Sequence, residues 1–239
     1  MRYLLILALV ALFGLHQLVQ AQNSSFTTWE QPQYEVANTA KGIGYLTADE
    51  QEVLRLLNLA RLNPQLFANT YLAYYQDVLP DSVAERVREK LLNSQPLPPL
   101  KPSYPLCKSA ATEAYAISAG TSPTINNADR IHRYLPGAYN YGSHYLSNVN
   151  SPIEIALTLL ANQSKGYQRS LLDAKIHLIG IATKADAEVC NHFVLDFAQD
   201  PNLALKGNTR RKQVEKPIDE CPPGSKVVVH RRHRFLGIF

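Results

Sequence analysis

The stretch GAYNYGSHYLSNVNSPIEIALTLLANQSKGYQRSLL, residues 137–172, contains a strand, a turn and a helix in succession. A strand is predicted from Tyr139, because aromatic and polar residues alternate there before an Asn/Ser/Pro turn. Ser151 can cap the helix that follows, Pro152 stands where a missing N–H costs nothing, and Glu154 complements the helix dipole. The pattern therefore predicts a helix that begins at Pro152.

Upstream of this stretch the sequence predicts mainly helices. Thr47 and Glu50 have the spacing of a capping box, and the apolar residues Val53, Leu57 and Ala60 then recur at helical spacing. Further helices are predicted over residues 65–75, 81–93, 106–119 and 128–135, with an extended proline-rich connector over residues 95–105.

Downstream of it the sequence predicts two strands. Residues 177–183 alternate loosely, and residues 191–198 place Phe193, Leu195 and Phe197 on one strand face. A turn between the two segments would make them an antiparallel hairpin. Helices followed by a small antiparallel sheet indicate an α+β fold with a layered α-β-α plan.

The N-terminus has the pattern of a secretory signal peptide. Met1-Arg2 precedes an apolar run over residues 4–15, and Val19-Gln20-Ala21 offers small or apolar residues at the positions that a signal peptidase reads. The run is shorter than the roughly 20 residues that a membrane anchor needs, and no later stretch is long and apolar enough to span a bilayer. We therefore predict cleavage after Ala21, no transmembrane segment afterwards, and a secreted, periplasmic or extracellular protein.

Composition divides the rest of the chain into three parts. Residues 22–45 are polar and aperiodic and are predicted to be an N-terminal extension, residues 46–200 a single domain, and residues 201–239 a basic C-terminal extension. From Lys206 onward nine Lys or Arg stand against three acids, whereas the whole chain has a net charge of only +4. The domain is therefore not predicted to bind nucleic acid, while the tail could bind an anionic cell-surface polymer.

Three cysteines, Cys107, Cys190 and Cys221, are too few for a disulfide scaffold. In an oxidising compartment they allow one bridge and one leftover thiol, and the sequence does not choose the pair. The spacing of a structural zinc site, Cys-x-x-Cys or Cys-x-x-His, does not occur.

Eight short motifs occur in a fixed order between residues 46 and 199, and together they resemble the CAP superfamily. This is the group of cysteine-rich secretory proteins, antigen 5 and pathogenesis-related proteins, and the resemblance is to its bacterial SCP-like branch. It implies a three-layer α-β-α sandwich with a small central antiparallel sheet. The motifs are Asn58-x-x-Arg61, Leu97-Pro98-Pro99-Leu100, Asp129-Arg130-Ile131, Ala138-Tyr139-Asn140-Tyr141-Gly142, Ser151-Pro152-x-Glu154, Gly166 with Leu171-Leu172, Ile179-Gly180-Ile181-Ala182 and Asp196-Phe197-Ala198.

The resemblance also implies that this chain has lost the metal site of the family. Many members hold a divalent metal such as zinc with two His and two Glu in a cleft. At the matching positions Ser143 replaces a glutamate and Tyr167 replaces a histidine, and residues 119–123 lack the histidine expected there. The chain is therefore expected to be a degenerate member with no metal, no other cofactor and no catalytic residues.

A binding cleft is the function that these residues favour. Four tyrosines are expected to gather around it beside Ser143 and His144, namely Tyr139, Tyr141, Tyr145 and Tyr167. Tyrosine rings offer apolar faces with a polar edge. The expected ligand is a lipid, a glycan or a peptide.

Two alternatives remain. Ser143 next to His144, with Glu154 or Asp173 as the acid, has the residue types of a hydrolase. Adjacent strand residues point to opposite faces, however, and a Gly-x-Ser-x-Gly elbow is missing from the sequence. The chain could also be a cell-surface interaction protein that acts through its basic tail.

Overall fold

The computed structural model describes residues 29–121, 125–162, 171–186 and 191–203. The predicted signal peptide and the tail from residue 204 lie outside these residues. The longer helices are α1 (Gln31–Ala37), α2 (Ala48–Leu62), α4 (Asp81–Leu92), α5 (Tyr104–Ser118), α6 (Asn127–Tyr134) and α7 (Pro152–Asn162). A short α3 (Pro64–Phe67) leads into a π-helical turn (Ala68–Leu72), and a 3-10 turn (Gln76–Val78) precedes α4.

One sheet runs through the middle of the fold. Its strands are β1 (Lys101–Pro102), β2 (Tyr139–Ser147), β3 (Leu178–Ala185) and β4 (Asn191–Gln199), in the order β1-β3-β4-β2. β3 and β4 form the predicted antiparallel hairpin, and β2 pairs antiparallel with β4. The sheet is nevertheless mixed, because two residues of the proline-rich connector pair parallel with β3.

Alternation along β4 separates two helical layers. Phe193, Leu195 and Phe197 pack into the main core, which α2, α4 and α7 share. On the opposite face Val194 packs against α5, and Ala198 packs against residues of α5 and α6. The α+β class and the three-layer arrangement are therefore confirmed.

The predicted helix starts are present. The hydroxyl of Thr47 accepts from the backbone N–H of Glu50 at 3.2 Å, and the Glu50 carboxylate accepts from the N–H of Thr47 at 2.9 Å. Glu50 also accepts from the N–H of Thr183 at 2.8 Å and so occupies an outer donor of β3. At α7 the hydroxyl of Ser151 accepts from the N–H of Glu154 at 3.3 Å.

The domain begins earlier than predicted. Trp29, Ala37 and Ala40 are buried in the main core, and the indole N–H of Trp29 donates to the hydroxyl of Thr70 at 2.9 Å. The predicted extension over residues 22–45 therefore includes a packed helix. Sequence periodicity missed it because α1 has only seven residues and buries one of them.

Two polar side chains of α2 fix the connector that leads to α5. Asn58 makes hydrogen bonds to both the C=O and the N–H of Leu100, at 3.1 and 2.7 Å. The buried guanidinium of Arg61 donates to backbone carbonyls of Pro98, Leu171, Asp173 and Ile176. Burial lowers the pKa of Arg61 to about 10, and these carbonyls compensate a charge that water does not reach.

Within the described residues, none of the helices is long and apolar enough to cross a membrane.

Gly180 allows α5 to lie directly on β3. A Cβ atom at this position would stand 2.1 Å from the carbonyl carbon of Leu106 and 2.3 Å from the backbone nitrogen of Cys107. Because these are backbone atoms, a rotamer change cannot relieve the clash. We expect Gly180→Ala to lower the free energy of unfolding by about 3 kcal/mol or more, measured by urea denaturation.

Gly44→Ala is the matched control. No atom lies within 4 Å of a Cβ built at Gly44, so this change should leave the urea midpoint nearly unchanged. Equal midpoints for the two variants would contradict the close packing of α5 on β3.

Candidate functional site

Ser143 lies on the sheet face that α5 and α6 cover. It stands opposite Asp196 in the β2–β4 register, and its hydroxyl accepts from Nη2 of Arg130 at 3.1 Å. Ser143 is thus part of a buried hydrogen-bond network. Among the described residues its hydroxyl is not paired with an imidazole.

Arg130 is the centre of this network and is 1% exposed. Its guanidinium contacts both oxygens of Asp196, at 2.5 and 3.2 Å, and donates to the backbone C=O and the hydroxyl of Ser109 at 2.8 and 3.0 Å. Nη2 also donates to Asn127 at 3.2 Å, and Nε lies 3.2 Å from the carboxylate of Glu113. Arg130 therefore joins α5, α6, β2 and β4.

The two acids around Arg130 are not equivalent. Asp196 is fully buried and holds Arg130 with both oxygens, whereas Glu113 approaches only Nε, without hydrogen-bond geometry. Burial raises the pKa of Glu113, and repulsion from Asp196 adds to this rise although Arg130 opposes it. The ionised form of Glu113 is therefore disfavoured in the folded protein.

His144 lies on the other face of the sheet. Its ring stacks on Phe197 with 5.5 Å between centroids, and burial lowers its pKa. Within the described part of the chain its buried Nε2 has no hydrogen-bond partner. Ser143 and His144 therefore do not meet, as the alternation along the strand predicted.

The predicted tyrosine cleft is not assembled from the residues that the structure describes. Tyr141 packs edge-on against His132 of α6, with 4.8 Å between ring centroids. It thus faces the α6 layer, away from His144, while Tyr167 lies outside the described residues. Ser143, His144 and Tyr141 therefore do not line one common cavity.

Two recesses open elsewhere on the surface. One, of about 210 Å³, lies between the π-helical turn and α4, and the other, of about 470 Å³, lies between the end of α4 and residues 172–174. Neither is lined by a predicted cleft residue. Clusters of three or more His, Cys, Asp or Glu able to hold a metal ion do not occur within residues 29–121, 125–162, 171–186 and 191–203.

Four side chains form a surface that the sequence analysis did not single out, here called the tyrosine face: Tyr45, Tyr104, Lys108 and Tyr115. Tyr104 is 50% exposed and Tyr115 is 66% exposed, and both lie on α5. Their separation of eleven residues returns them to nearly the same side of the helix, roughly 16 Å apart along its axis. The spacing was visible in the sequence, but the exposure of this side of α5 was not.

Three members of the tyrosine face contact one another, namely Tyr45, Tyr104 and Lys108. Tyr45 packs against Tyr104 with 5.1 Å between centroids, and Nζ of Lys108 lies 4.7 Å from the centre of the Tyr104 ring. The charged residues of α5 are Lys108, which is exposed, and Glu113, which turns toward Arg130. The exposed side of α5 therefore carries positive charge only.

Cys107 is a free, buried thiol, whereas Cys190 and Cys221 lie outside the described residues. Burial raises the pKa of Cys107 to about 11. Because the thiolate is the reactive form, we expect iodoacetamide to modify Cys107 slowly in the folded protein at pH 8 and readily in urea. Peptide mapping would measure this, and equal rates in both conditions would contradict the burial of the thiol.

Asp196→Ala should destabilise the fold by about 3–5 kcal/mol, because the looser contact to Glu113 is then the only opposite charge beside the buried Arg130 among the described residues. Glu113→Gln should change stability by about 1 kcal/mol or less, because the charge that it removes is disfavoured in the folded state. Urea unfolding of both variants at pH 7 would measure the difference. Similar losses in the two would contradict the unequal roles of the acids.

The raised pKa of Glu113 also makes the stability of the protein depend on pH. Since the folded protein holds the proton of Glu113 more tightly than the unfolded chain does, ionisation of Glu113 lowers stability as pH rises through the carboxyl range. We expect the stability of Glu113→Gln relative to the unchanged protein to increase between pH 4 and pH 8. A decrease over this range would show that Arg130 stabilises the ionised carboxylate instead.

Comparisons with known proteins found little similarity. Family models do not match the sequence, and curated proteins do not match it either. A solved structure, that of an outer surface protein from Borrelia burgdorferi, is similar at 21% identity and a TM-score of 0.35. The match covers 52% of this chain and 91% of that protein. At this TM-score the similarity does not establish a shared fold.

Proposed function

We propose that this chain is an exported, degenerate CAP/SCP-like protein that binds an anionic glycan without cleaving it. The ordered motifs and the signal-peptide pattern support the family and the export. The observation that carries the binding function is the tyrosine face, where exposed rings and a lysine share one side of α5. The binding surface is therefore moved from the predicted cleft to α5.

The chemistry of the tyrosine face fits sugar rings. A tyrosine ring presents an apolar surface that can pack against the C–H face of a sugar, and its hydroxyl can bond to sugar hydroxyls at the edge. Tyr104 and Tyr115, roughly 16 Å apart, can contact separate units of one extended polymer. This favours an oligomeric glycan over a small compact ligand.

Charge selects the kind of glycan. Lys108 is the exposed charge of α5, and its ammonium group lies beside the Tyr104 ring that would hold the sugar. Carboxylate or phosphate groups on the polymer would be attracted to it, and salt would weaken this attraction. An acidic cell-surface polysaccharide is therefore the proposed ligand class.

The surroundings of Ser143 and His144 favour binding over hydrolysis. The hydroxyl of Ser143 accepts a hydrogen bond from Arg130, and His144 stacks on Phe197 across the sheet. A serine hydrolase needs its serine within hydrogen-bond reach of the base. These two residues therefore do not support the hydrolase alternative.

Binding of polygalacturonate to the mature protein, measured by calorimetry, tests the proposal. We expect the double substitution Tyr104→Ala and Tyr115→Ala to weaken the affinity about tenfold, because two ring contacts of about 0.5–1.5 kcal/mol each are removed. Lys108→Gln should reduce the dependence of the affinity on salt concentration.

Tyr74→Ala and neutral dextran are the controls. Tyr74 is 60% exposed but lies outside α5, so its loss should leave the affinity unchanged. Dextran should bind weakly, because it lacks the charge that Lys108 attracts. Full affinity in the double variant would contradict binding at the tyrosine face and would favour the basic tail as the binding region.

A further inference from the structure

A chain of three hydrogen-bonded side chains lies at one end of the sheet. The hydroxyl of Tyr145 on β2 lies 2.9 Å from Nδ1 of His192 on β4. Nε2 of the same ring lies 2.9 Å from a carboxylate oxygen of Asp186, the residue that follows β3. The order phenol, imidazole, carboxylate is that of a nucleophile, its base and the group that orients the base.

The carboxylate of Asp186 determines which nitrogen of His192 carries a hydrogen. An ionised carboxylate only accepts hydrogen bonds, so in the tautomer that satisfies this contact Nε2 of His192 carries the hydrogen and donates it to Asp186. Nδ1 then presents a lone pair, and the phenol of Tyr145 donates to it. The imidazole is thus placed to take the phenol proton.

Exposure separates the phenol from its base. Tyr145 is 46% exposed, whereas the side chain of His192 is 10% exposed and that of Asp186 is 22% exposed. A reagent in solution can therefore reach the Tyr145 hydroxyl while the imidazole beneath it stays largely shielded. The contacts of its two ring nitrogens, to Tyr145 and Asp186, hold the His192 ring in one orientation.

The sheet register fixes this geometry. Tyr145 pairs with Val194 and Ser147 pairs with His192, so Tyr145 and His192 are diagonal neighbours on one face of β2 and β4. Their rings lie 6.0 Å apart and nearly parallel. The three hydrogen-bonded residues, Tyr145, His192 and Asp186, are not part of the tyrosine face.

We propose that Tyr145 is an activated nucleophile toward activated acyl esters, with His192 as its general base and Asp186 as a positioning residue. The phenol oxygen forms a bond to the acyl carbon as its proton passes to Nδ1 of His192. The bond between the acyl carbon and the leaving oxygen breaks, and the leaving group takes that electron pair and then the proton from the imidazolium. The products are an O-acyl-Tyr145 and a free alcohol or phenol.

p-Nitrophenyl acetate tests this on the full mature chain, with nitrophenolate release followed by absorbance and acetylated residues identified by mass spectrometry. Tyr115 is the internal control, since it is more exposed than Tyr145 at 66%. We expect Tyr145 to be acetylated at least about tenfold faster than Tyr115, because general-base catalysis contributes about 10²–10⁴-fold. Tyr145→Phe should remove the fast phase and leave the slow one.

Two further variants separate activation from a structural role. His192→Gln keeps a polar side chain and should reduce acetylation of Tyr145 to the rate of Tyr115. Asp186→Asn should reduce it at least about threefold while the thermal midpoint and the acetylation of Tyr115 stay unchanged. If His192→Gln does not fold, the rate of Tyr145 acetylation in Asp186→Asn tests the proposal.

Acetylation of Tyr145 no faster than that of Tyr115 would overturn the proposal. So would a fast phase that persists at Tyr145 in Asp186→Asn, since the imidazole would then need no orienting carboxylate. Either result would leave the three residues as a structural tie between β2, β4 and the end of β3.

Discussion

The buried ion pair of Arg130 and Asp196 is the interaction on which the arrangement of the α5 and α6 layer depends. An arginine excluded from water is stable only where acceptors surround it, and here acceptors come from α5, α6, β2 and β4. Each of these elements must therefore occupy one position for the guanidinium to be satisfied. Arg61 has the corresponding role on the opposite layer, but it is held by backbone carbonyls instead of carboxylates.

The hydrogen bonds of Arg130 also determine the role of Ser143. Its hydroxyl accepts a hydrogen bond from Arg130, so this side chain supports the fold. Strand alternation places His144 across the sheet at the same time. The two sites that we propose therefore lie on accessible surfaces, namely the tyrosine face and the end of β2 where Tyr145 meets His192.

Sequence patterns predicted well those elements that depend on contacts between residues close in sequence. The capping box at Thr47 and Glu50 and the Ser-Pro start of α7 depend on contacts within one helical turn, and both are present. The β3–β4 hairpin followed from alternation and a short turn. The pairing of β1 was missed, because it depends on a partner strand more than forty residues away.

The site was predicted less well than the fold. The family resemblance placed Ser143, His144 and Tyr141 in one cleft, whereas in the structure they lie on two faces of the sheet. Tyr145, His192 and Asp186 come from three separate segments, and only the register of β2 on β4 brings the phenol to the imidazole. The sequence by itself determined most of the helices, the hairpin and the residue types available for chemistry, since the helices and the hairpin follow from short-range periodicity, capping and turns. Which side chains meet was decided only by the tertiary structure, because strand register and the burial of Arg130 are set by contacts between distant segments.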